Sequence, residues 1–552
     1  MDVNASPFAG SPSAYQHRSV TMAANGMVAS ASPLASLAGV DVLRAGGNAV
    51  DAAVAVAGVL NVVLPMMCGL GGDVFMIAYL AKEGRLEALN GSGVCPYAAT
   101  RDYYVGQGYT KMPFEGVHSV GVPGAVDAYE TALARWGTMP LRELLQPAVE
   151  YAARGFVLPE ITARFFGEAA SDLAKYPTTA RVYLPDGRPP RAGEVFVQPD
   201  LAESLRLVQH GGAEVFYRGE LGRAIVAFLR ENGGLYTERE FAEHESTVYR
   251  PLRTTYRGYE VYQTAPPSQG LIMLEALNIL EGFDLPALPF QGAEEIHLMA
   301  EAKKLAFADR LAHARDPRFG RTPLNGLLAK EYAAKQRAKI RPDSALPARV
   351  AGDPWEFDGD TTYFAVADKD GNCVSFIHSL SAAFGSKVVA GDTGILLNNR
   401  AGRGFSLEEG HPNVIEPGKK TMHTLVAYMV SRGGKPWLIG GTPGGDQQPQ
   451  WNTQVVSAVI DHGLNVQQAA EMPHWQSFPG TDPANIDLEL ELHLEDRIPA
   501  EVRQALAARG HRVRDIGPWG ARSGVQLIAI DPTNGALQGG SDPRVDGCAL
   551  GY

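Results

Sequence analysis

The sequence predicts a mixed fold of helices and strands, the α+β class, on three observations. The first is a hairpin. Thr361–Ala367 and Cys373–Leu380 are β-branched and aromatic runs joined by Asp368-Lys369-Asp370-Gly371-Asn372, a composition that turns tightly between strands. The second is helical spacing over 198–245, where Leu201, Leu205 and Val208, then Leu221, Ile225, Val226 and Leu229, recur on one face. The third is a change of composition at 361, after which candidate strands 361–367, 373–380, 394–398, 424–431 and 436–440 follow one another.

Taken in order, the first 20 or so residues are polar and are expected to fray. Residues 30 to 160 alternate helical patterns with short apolar strands. The longest apolar run, Ala49 to Leu64, is interrupted by Asp51 and Asn61 and stopped by Pro65. It is too short for a membrane span and reads as a buried helix with Asn48 as its N-cap. Gly69-Leu70-Gly71-Gly72 follows that helix rather than a strand, so it is not a dinucleotide-binding loop. After Pro266-Pro267, helices rich in Leu, Ala and Met continue to about 315, and 318–360 is a charged, Pro-rich surface segment. No linker of useful length divides the chain, which reads as one structural unit without internal repeats.

The 552 residues are 45% apolar, enough for a sizeable core, and the net charge of −12 argues against a nucleic-acid footprint, which needs a basic stripe. The four cysteines, Cys68, Cys95, Cys373 and Cys548, form no CxxC pair, so free thiols in a reducing compartment are expected. Met1-Asp2-Val3-Asn4-Ala5-Ser6-Pro7 has neither a basic nor an apolar leader region, and the expectation is a cytoplasmic protein without a membrane partner. The 13 histidines show no HExxH or comparable ligand spacing, and neither metal nor cofactor is expected.

The polar loop Asp358-Gly359-Asp360 runs straight into the hairpin at Thr361. If the chain is cut between Asp360 and Thr361, that threonine carries a free α-amine beside its own hydroxyl. One residue then supplies nucleophile and base, the N-terminal-threonine form of nucleophilic catalysis. An ordinary strand threonine is the alternative, since threonine favours strands for packing reasons.

The stretch Thr361-Thr362-Tyr363-Phe364-Ala365-Val366-Ala367-Asp368-Lys369-Asp370-Gly371-Asn372 is similar to the T-T-H-x-S-V-x-D-x-D-G-N signature of the gamma-glutamyltransferase family. The resemblance continues through Gly394-Ile395-Leu396-Leu397-Asn398-Asn399, Gly441-Thr442-Pro443-Gly444-Gly445 and Gly540-Ser541-Asp542-Pro543-Arg544. Upstream it includes Ala45-Gly46-Gly47-Asn48-Ala49-Val50-Asp51-Ala52-Ala53, Gly69-Leu70-Gly71-Gly72-Asp73, Gly121-Val122-Pro123-Gly124 and Tyr256-Arg257-Gly258-Tyr259. It runs in order over nearly the whole chain. It implies a four-layer αββα sandwich of the N-terminal-nucleophile hydrolase type. It also implies a proenzyme cut at Asp360–Thr361 into a large chain, 1–360, and a small chain, 361–552. The two would stay together as an αβ heterodimer, with a dimer of such units as a further assembly.

By that resemblance Thr361 is the nucleophile and Ser379, standing where the family has a second threonine, supports it through its hydroxyl. Gly444 and Gly445 offer backbone N–H groups to the oxyanion, a task glycine suits because only backbone need approach the reacting carbonyl. The substrate pocket departs from the family pattern. Ser92 stands where the family's carboxylate-binding arginine would be, and Arg403 where an acidic residue holds the substrate ammonium. Arg400 replaces a Gln or Glu, Ser381 an Asn, and His423 and Thr424 a pair of serines, with Asp446 following the glycine loop.

Arginine facing an ammonium is repulsive and does not shed its charge. The pocket is therefore expected to take a carboxylate without a neighbouring amine, held in the bidentate manner of guanidinium groups. This resembles the oxamate amidohydrolase branch, so an acid monoamide such as oxamate is the expected small-molecule substrate. Glutathione and gamma-glutamyl amides, or glutaryl and cephalosporin-type amides, are alternatives. A catalytically silent binding relative is the non-enzyme alternative, against which the retention of Thr361 and the Gly-Gly loop speaks.

Overall fold

A computed structural model describes residues 16–346, 361–479 and 489–552. Two seven-stranded sheets dominate it. One runs Thr21–Ala23, Leu537–Ser541, Gln526–Ile530, Lys435–Gly441, Tyr428–Arg432, Tyr259–Gln263, Leu252–Tyr256. The other runs Cys548–Gly551, Met27–Ser30, Thr362–Ala367, Cys373–Ser379, Asp73–Leu80, Arg85–Gly91, Thr247–Tyr249. Every neighbouring pair in both is antiparallel.

The four layers follow from the two-residue period of a strand. In Thr362–Ala367 every residue is buried, so both faces must be covered. Tyr363, Ala365 and Ala367 point into the apolar cluster between the sheets, with Phe75, Ile77, Met429, Ile439 and Ile528. Phe364 and Val366 point the other way, into a cluster built largely from the helices of the first half of the chain. Phe364 stacks on Phe376 of the next strand at 4.6 Å between ring centroids. On the far side, Tyr428, Val430, Leu438 and Leu527 of the first sheet pack against the helices Leu271–Leu280, Ala293–His313 and Gln448–Ile460. Helix, sheet, sheet, helix is the resulting order, the αββα sandwich.

The expected hairpin forms with the expected turn. Asp368 Oδ1 accepts from the backbone N–H groups of Asp370 and Asn372 at 3.0 and 2.9 Å, and Gly371 takes the left-handed φ of +84° that the turn requires. Ala49–Val63 is a helix buried on all sides, and Asn48 Oδ1 caps it by accepting from the N–H groups of Val50 and Asp51. The 198–245 region divides into Pro199–Tyr217, Glu220–Glu231 and Glu238–Ala242.

Three expectations differ from the structure. Residues 394–398 make only isolated bridges, Leu396 with Val389 and Leu397 with Gly71, because that backbone lies against the Gly69–Gly72 loop instead of joining a sheet. Gly71 permits the approach: a Cβ there would sit 2.1 Å from Leu396 O. The strand expected over 424–431 begins only at Tyr428, since the backbone at His423 and Thr424 is held by Pro267 and Gln269. Most of the first 20 residues, expected to fray, lie outside the described residues, and Thr21–Ala23 just after them is an edge strand paired with Leu537–Gly539. The surface segment 318–346 contains two short helices, Leu324–Leu327 and Lys330–Arg337. Among the described residues no helix is long and apolar enough to cross a membrane, and all four cysteines are unbridged thiols.

Candidate active site

Thr361 is fully buried at the threshold of Thr362–Ala367, an interior strand of its sheet. The hairpin register sets Thr362 opposite His378, which brings Thr361 beside Ser379, and the two hydroxyl oxygens are 3.0 Å apart. Ser379 Oγ also accepts from the backbone N–H of Ser381 at 2.7 Å, which fixes the hydroxyl beside Thr361. The neighbouring His378 is fixed in one tautomer: its Nε2–H donates to Gly69 O at 3.0 Å, leaving Nδ1 to accept from Tyr129. Burial holds its pKa down to about 3, so it packs as a neutral ring.

Ser381 makes the sharp exit from the second hairpin strand, with φ of +90°, a strained conformation for a residue with a Cβ. Its carbonyl accepts from Arg403 Nη1 at 3.2 Å, and its buried Oγ has no hydrogen-bond partner among the described residues. Arg403 thus reaches the turn that orients Ser379. It is carried with Arg400 on the single helical turn Arg400–Gly404, and both arginines are 2% exposed.

Arg400 lies between two chain segments. Its Nε donates to Asp73 Oδ2 at 3.2 Å and its Nη1 to Thr424 Oγ1 at 3.3 Å. Asp73 pairs with Ser379 across the sheet, so this ion pair sits next to the Thr361–Ser379 hydroxyl pair. Burial raises the Asp73 carboxyl to about 6 even though the Arg400 charge opposes that shift. Here desolvation outweighs the ion pair. Asp73 is a site residue that the sequence reading took only as part of a matching Gly-Gly-Asp string. Its aspartate in an otherwise apolar strand was the available signal.

His423 is buried with both ring nitrogens lacking partners among the described residues, and its ring meets Phe75 at 5.2 Å. Burial, reinforced by the Arg400 and Lys420 charges, holds its pKa well below the usual histidine value. It is a neutral imidazole. Buried polar atoms without partners are few in native proteins and mark sites that receive a polar group.

The glycine loop leaves the first sheet after Gly441, whose Cα is pressed against the Tyr363 ring. Gly444 and Gly445 have φ of +121° and +53°, a left-handed pair that opens the helix Gln448–Ile460 through one 3₁₀ turn. Gln269, absent from the sequence-level candidates, ties this loop to the pocket wall: its Nε2 donates to Thr424 O at 2.8 Å and to Gly445 O at 2.9 Å. Asp446, expected among the substrate-side residues, directs Oδ1 to Arg310 Nη1 at 2.8 Å in a buried ion pair. Ser92, at the position of the missing arginine, is buried and folds back on Asn90 Oδ1 at 2.6 Å. Asp360 lies outside the described residues.

The Thr361–Ser379 hydroxyl pair and the Arg400–Gly404 turn therefore come together from distant parts of the sequence, and Gln269 ties the glycine loop to Thr424, which Arg400 also reaches. The arrangement suits attack by a threonine oxygen on a carbonyl, next to a pocket that carries fixed positive charge.

The family model described as gamma-glutamyltranspeptidase matches residues 35–552. The chain is 41% identical over 95% of its length, and 98% of the relative's, to the glutathione hydrolase-like YwrD proenzyme of Bacillus subtilis. It is 37% identical to the acylase ACY 1 proenzyme of Pseudomonas sp. strain V22, over 95% of this chain and 92% of that one. The solved cephalosporin acylase of Bacillus halodurans superposes with a TM-score of 0.91 at 37% identity, covering 97% of each chain. The protein belongs to the gamma-glutamyltranspeptidase family and is an N-terminal-nucleophile hydrolase.

Proposed function

We propose that the chain is a proenzyme that cuts itself before Thr361 and then hydrolyses the amide of a small carboxylate-bearing acid, with oxamate as the leading example. The observation that carries this reading is the 3.0 Å pairing of Thr361 Oγ1 with Ser379 Oγ at a strand threshold, beside the buried Arg400 and Arg403.

In maturation, Thr361 Oγ attacks the Asp360 carbonyl carbon, the C–N bond breaks, and the amine of Thr361 is released as an ester forms. Water hydrolyses that ester and leaves the chains 1–360 and 361–552. In turnover the Thr361 hydroxyl attacks the substrate amide carbon while its own amine accepts the proton. The N–H groups of the Gly444–Gly445 loop face the oxyanion, and the proton passes to the departing ammonia or amine. Water then attacks the acyl ester, restoring the hydroxyl and releasing the acid. Ser379 orients the nucleophile, and Arg403 and Arg400 supply the positive field for a carboxylate.

A second reading is an acylase acting on longer amides, favoured by the likeness to the Pseudomonas and Bacillus halodurans proteins. A panel of oxamate, glutathione, a gamma-glutamyl anilide and glutaryl amides decides between them through ammonia or amine release. The oxamate reading predicts that Arg403→Ala weakens kcat/KM on oxamate by about 1.5–3 kcal/mol, the worth of a hydrogen bond to a charged group. If glutathione is the best substrate and Arg403→Ala leaves it untouched, the pocket assignment is wrong.

A further inference from the structure

Among the described residues, one group of three metal-ligating side chains has its donor atoms within 4.8 Å of one another: His297, Glu301 and His511, all buried. None of them belongs to the candidate active site. His297 and Glu301 stand four apart on the helix Ala293–His313, so both project from one face. His511 follows the helix Ala500–Ala508 and comes 214 residues after His297. A set assembled from so far apart leaves no ligand spacing in the sequence.

Hydrogen bonds aim the donor atoms. His297 Nε2 is 2.6 Å from Arg341 O, and a carbonyl only accepts, so that nitrogen carries the proton. The lone pair on His297 Nδ1 is thereby turned toward His511 Nε2, 2.8 Å away. A ring N–H held by a backbone carbonyl while the other nitrogen ligates is how metal-binding histidines are oriented. Glu301 is held in the same manner: its Oε2 accepts from the backbone N–H of Leu346 at 2.9 Å, and its Oε1 lies 3.9 Å from His511 Nε2. Tetrahedral zinc with ligand bonds of roughly 2.0–2.2 Å keeps neighbouring donors about 3.3 Å apart. The separations of 2.8 and 3.9 Å lie on either side of that value.

The chain itself already brings a cation to this point. Lys304 Nζ donates to Glu301 Oε1 at 2.7 Å, and both side chains are buried. Lys304 and His511 also line a cleft of about 450 Å³ with Glu489 and Glu491 on its wall, so the lysine has an acidic opening to turn into.

We propose that His297, Glu301 and His511 bind one divalent transition-metal ion, zinc by its donor set, which displaces Lys304 from Glu301 toward the cleft. Two imidazole nitrogens and one carboxylate oxygen suit zinc, with water completing the tetrahedron. His297 and Glu301 precede residue 360 and His511 follows it. On the reading that the chain is cut before Thr361, the ion therefore also joins the large chain to the small one. The site itself stands without that reading.

The test is a titration of chelator-stripped full-length protein with zinc against a chromophoric chelator. One ion per chain should bind, and His297→Gln and His511→Gln should each weaken it by roughly a hundredfold or more, beyond what loss of a supporting partner costs. Lys304→Met should tighten it by roughly tenfold or more, because a like charge beside the ion is gone. Equal affinity in wild type and all three variants means adventitious surface binding and overturns the site, as does the lack of a stoichiometric ion. Should the histidine variants fail to fold, crystals of the unmodified protein soaked in zinc decide. An anomalous peak between His297 Nδ1, Glu301 Oε1 and His511 Nε2 is expected, and peaks confined to other histidines overturn the proposal. Failure of the cleavage reading shows separately, as one uncut band on a denaturing gel, whatever the zinc titration gives.

Discussion

At the scale of single residues, the site is governed by how burial and charge compete. Asp73 shows it most directly. An ion pair with Arg400 at 3.2 Å would hold a surface carboxyl low, yet enclosure raises this one to about 6. As pH falls through 6 it takes up a proton, and Arg400 loses its counter-charge next to Thr361 and Ser379. The expected outcome is an acid limb near pH 6 in kcat/KM that is absent, at a lower plateau, in Asp73→Asn. The stability sign follows from the same shift. A folded pKa above the unfolded one near 3.9 means the native state binds the proton more tightly, so stability is lost as pH rises from about 4 to about 6 and is level beyond. Urea unfolding of wild type and Asp73→Asn at pH 4.5 and 7 checks this: the variant should gain relative to wild type at the higher pH. A pH-independent difference would remove Asp73 from the account.

Secondary elements position the chemistry by small backbone devices. The hairpin turn was legible because Asp, Gly and Asn occupy the positions where side-chain acceptance and positive φ are needed. The Asn48-capped helix was legible for a similar local reason. Residues 394–398 and 424–427 were not. Their apolar and β-branched residues look strand-like, but their backbone groups are claimed by Gly71, Ser386 and Val388 in one case and by Ser268, Gln269 and Gln448 in the other, contacts no local pattern encodes. The glycine loop belongs to this scale as well. A Cβ on Gly444 would lie 2.3 Å from the Trp451 ring, and its φ of +121° excludes ordinary side chains. Gly444→Val should therefore displace the loop's N–H groups and lower kcat by roughly 10²-fold or more, the cost of one lost oxyanion donor. Steady-state rates on correctly cleaved protein measure this, and an unchanged kcat would take the loop out of the mechanism.

Over the whole molecule, the sheet order explains how a chain can be cut and remain one body. In the sheet that holds Thr361, the order across is Cys548–Gly551, Met27–Ser30, Thr362–Ala367, Cys373–Ser379 and Asp73–Leu80. Strands from before and after residue 360 are interleaved: Met27–Ser30 lies between two strands of the later segment, and Cys373–Ser379 pairs with Asp73–Leu80. The other sheet likewise mixes Thr21–Ala23, Tyr259–Gln263 and Leu252–Tyr256 with strands from beyond 420. Separating the two would strip both apolar faces of the interior strands, so the products of a cut before Thr361 are expected to stay associated until the fold itself is lost. This interleaving was not readable from periodicity, since strand neighbours far apart in sequence leave no local signature. The αββα order came from the resemblance and not from the pattern. Thr361, Ser379 and the glycine loop were singled out the same way, whereas Gln269 emerges only when the chain is folded. The central claim is that Thr361 becomes an N-terminus and does the chemistry. Purified protein run under native and denaturing conditions, with N-terminal sequencing of the smaller band, tests it most directly. The account predicts one species in native chromatography, two bands on the denaturing gel with the smaller beginning Thr-Thr-Tyr-Phe, and a single inactive band for Thr361→Ala. An intact single chain that hydrolyses amides would contradict it.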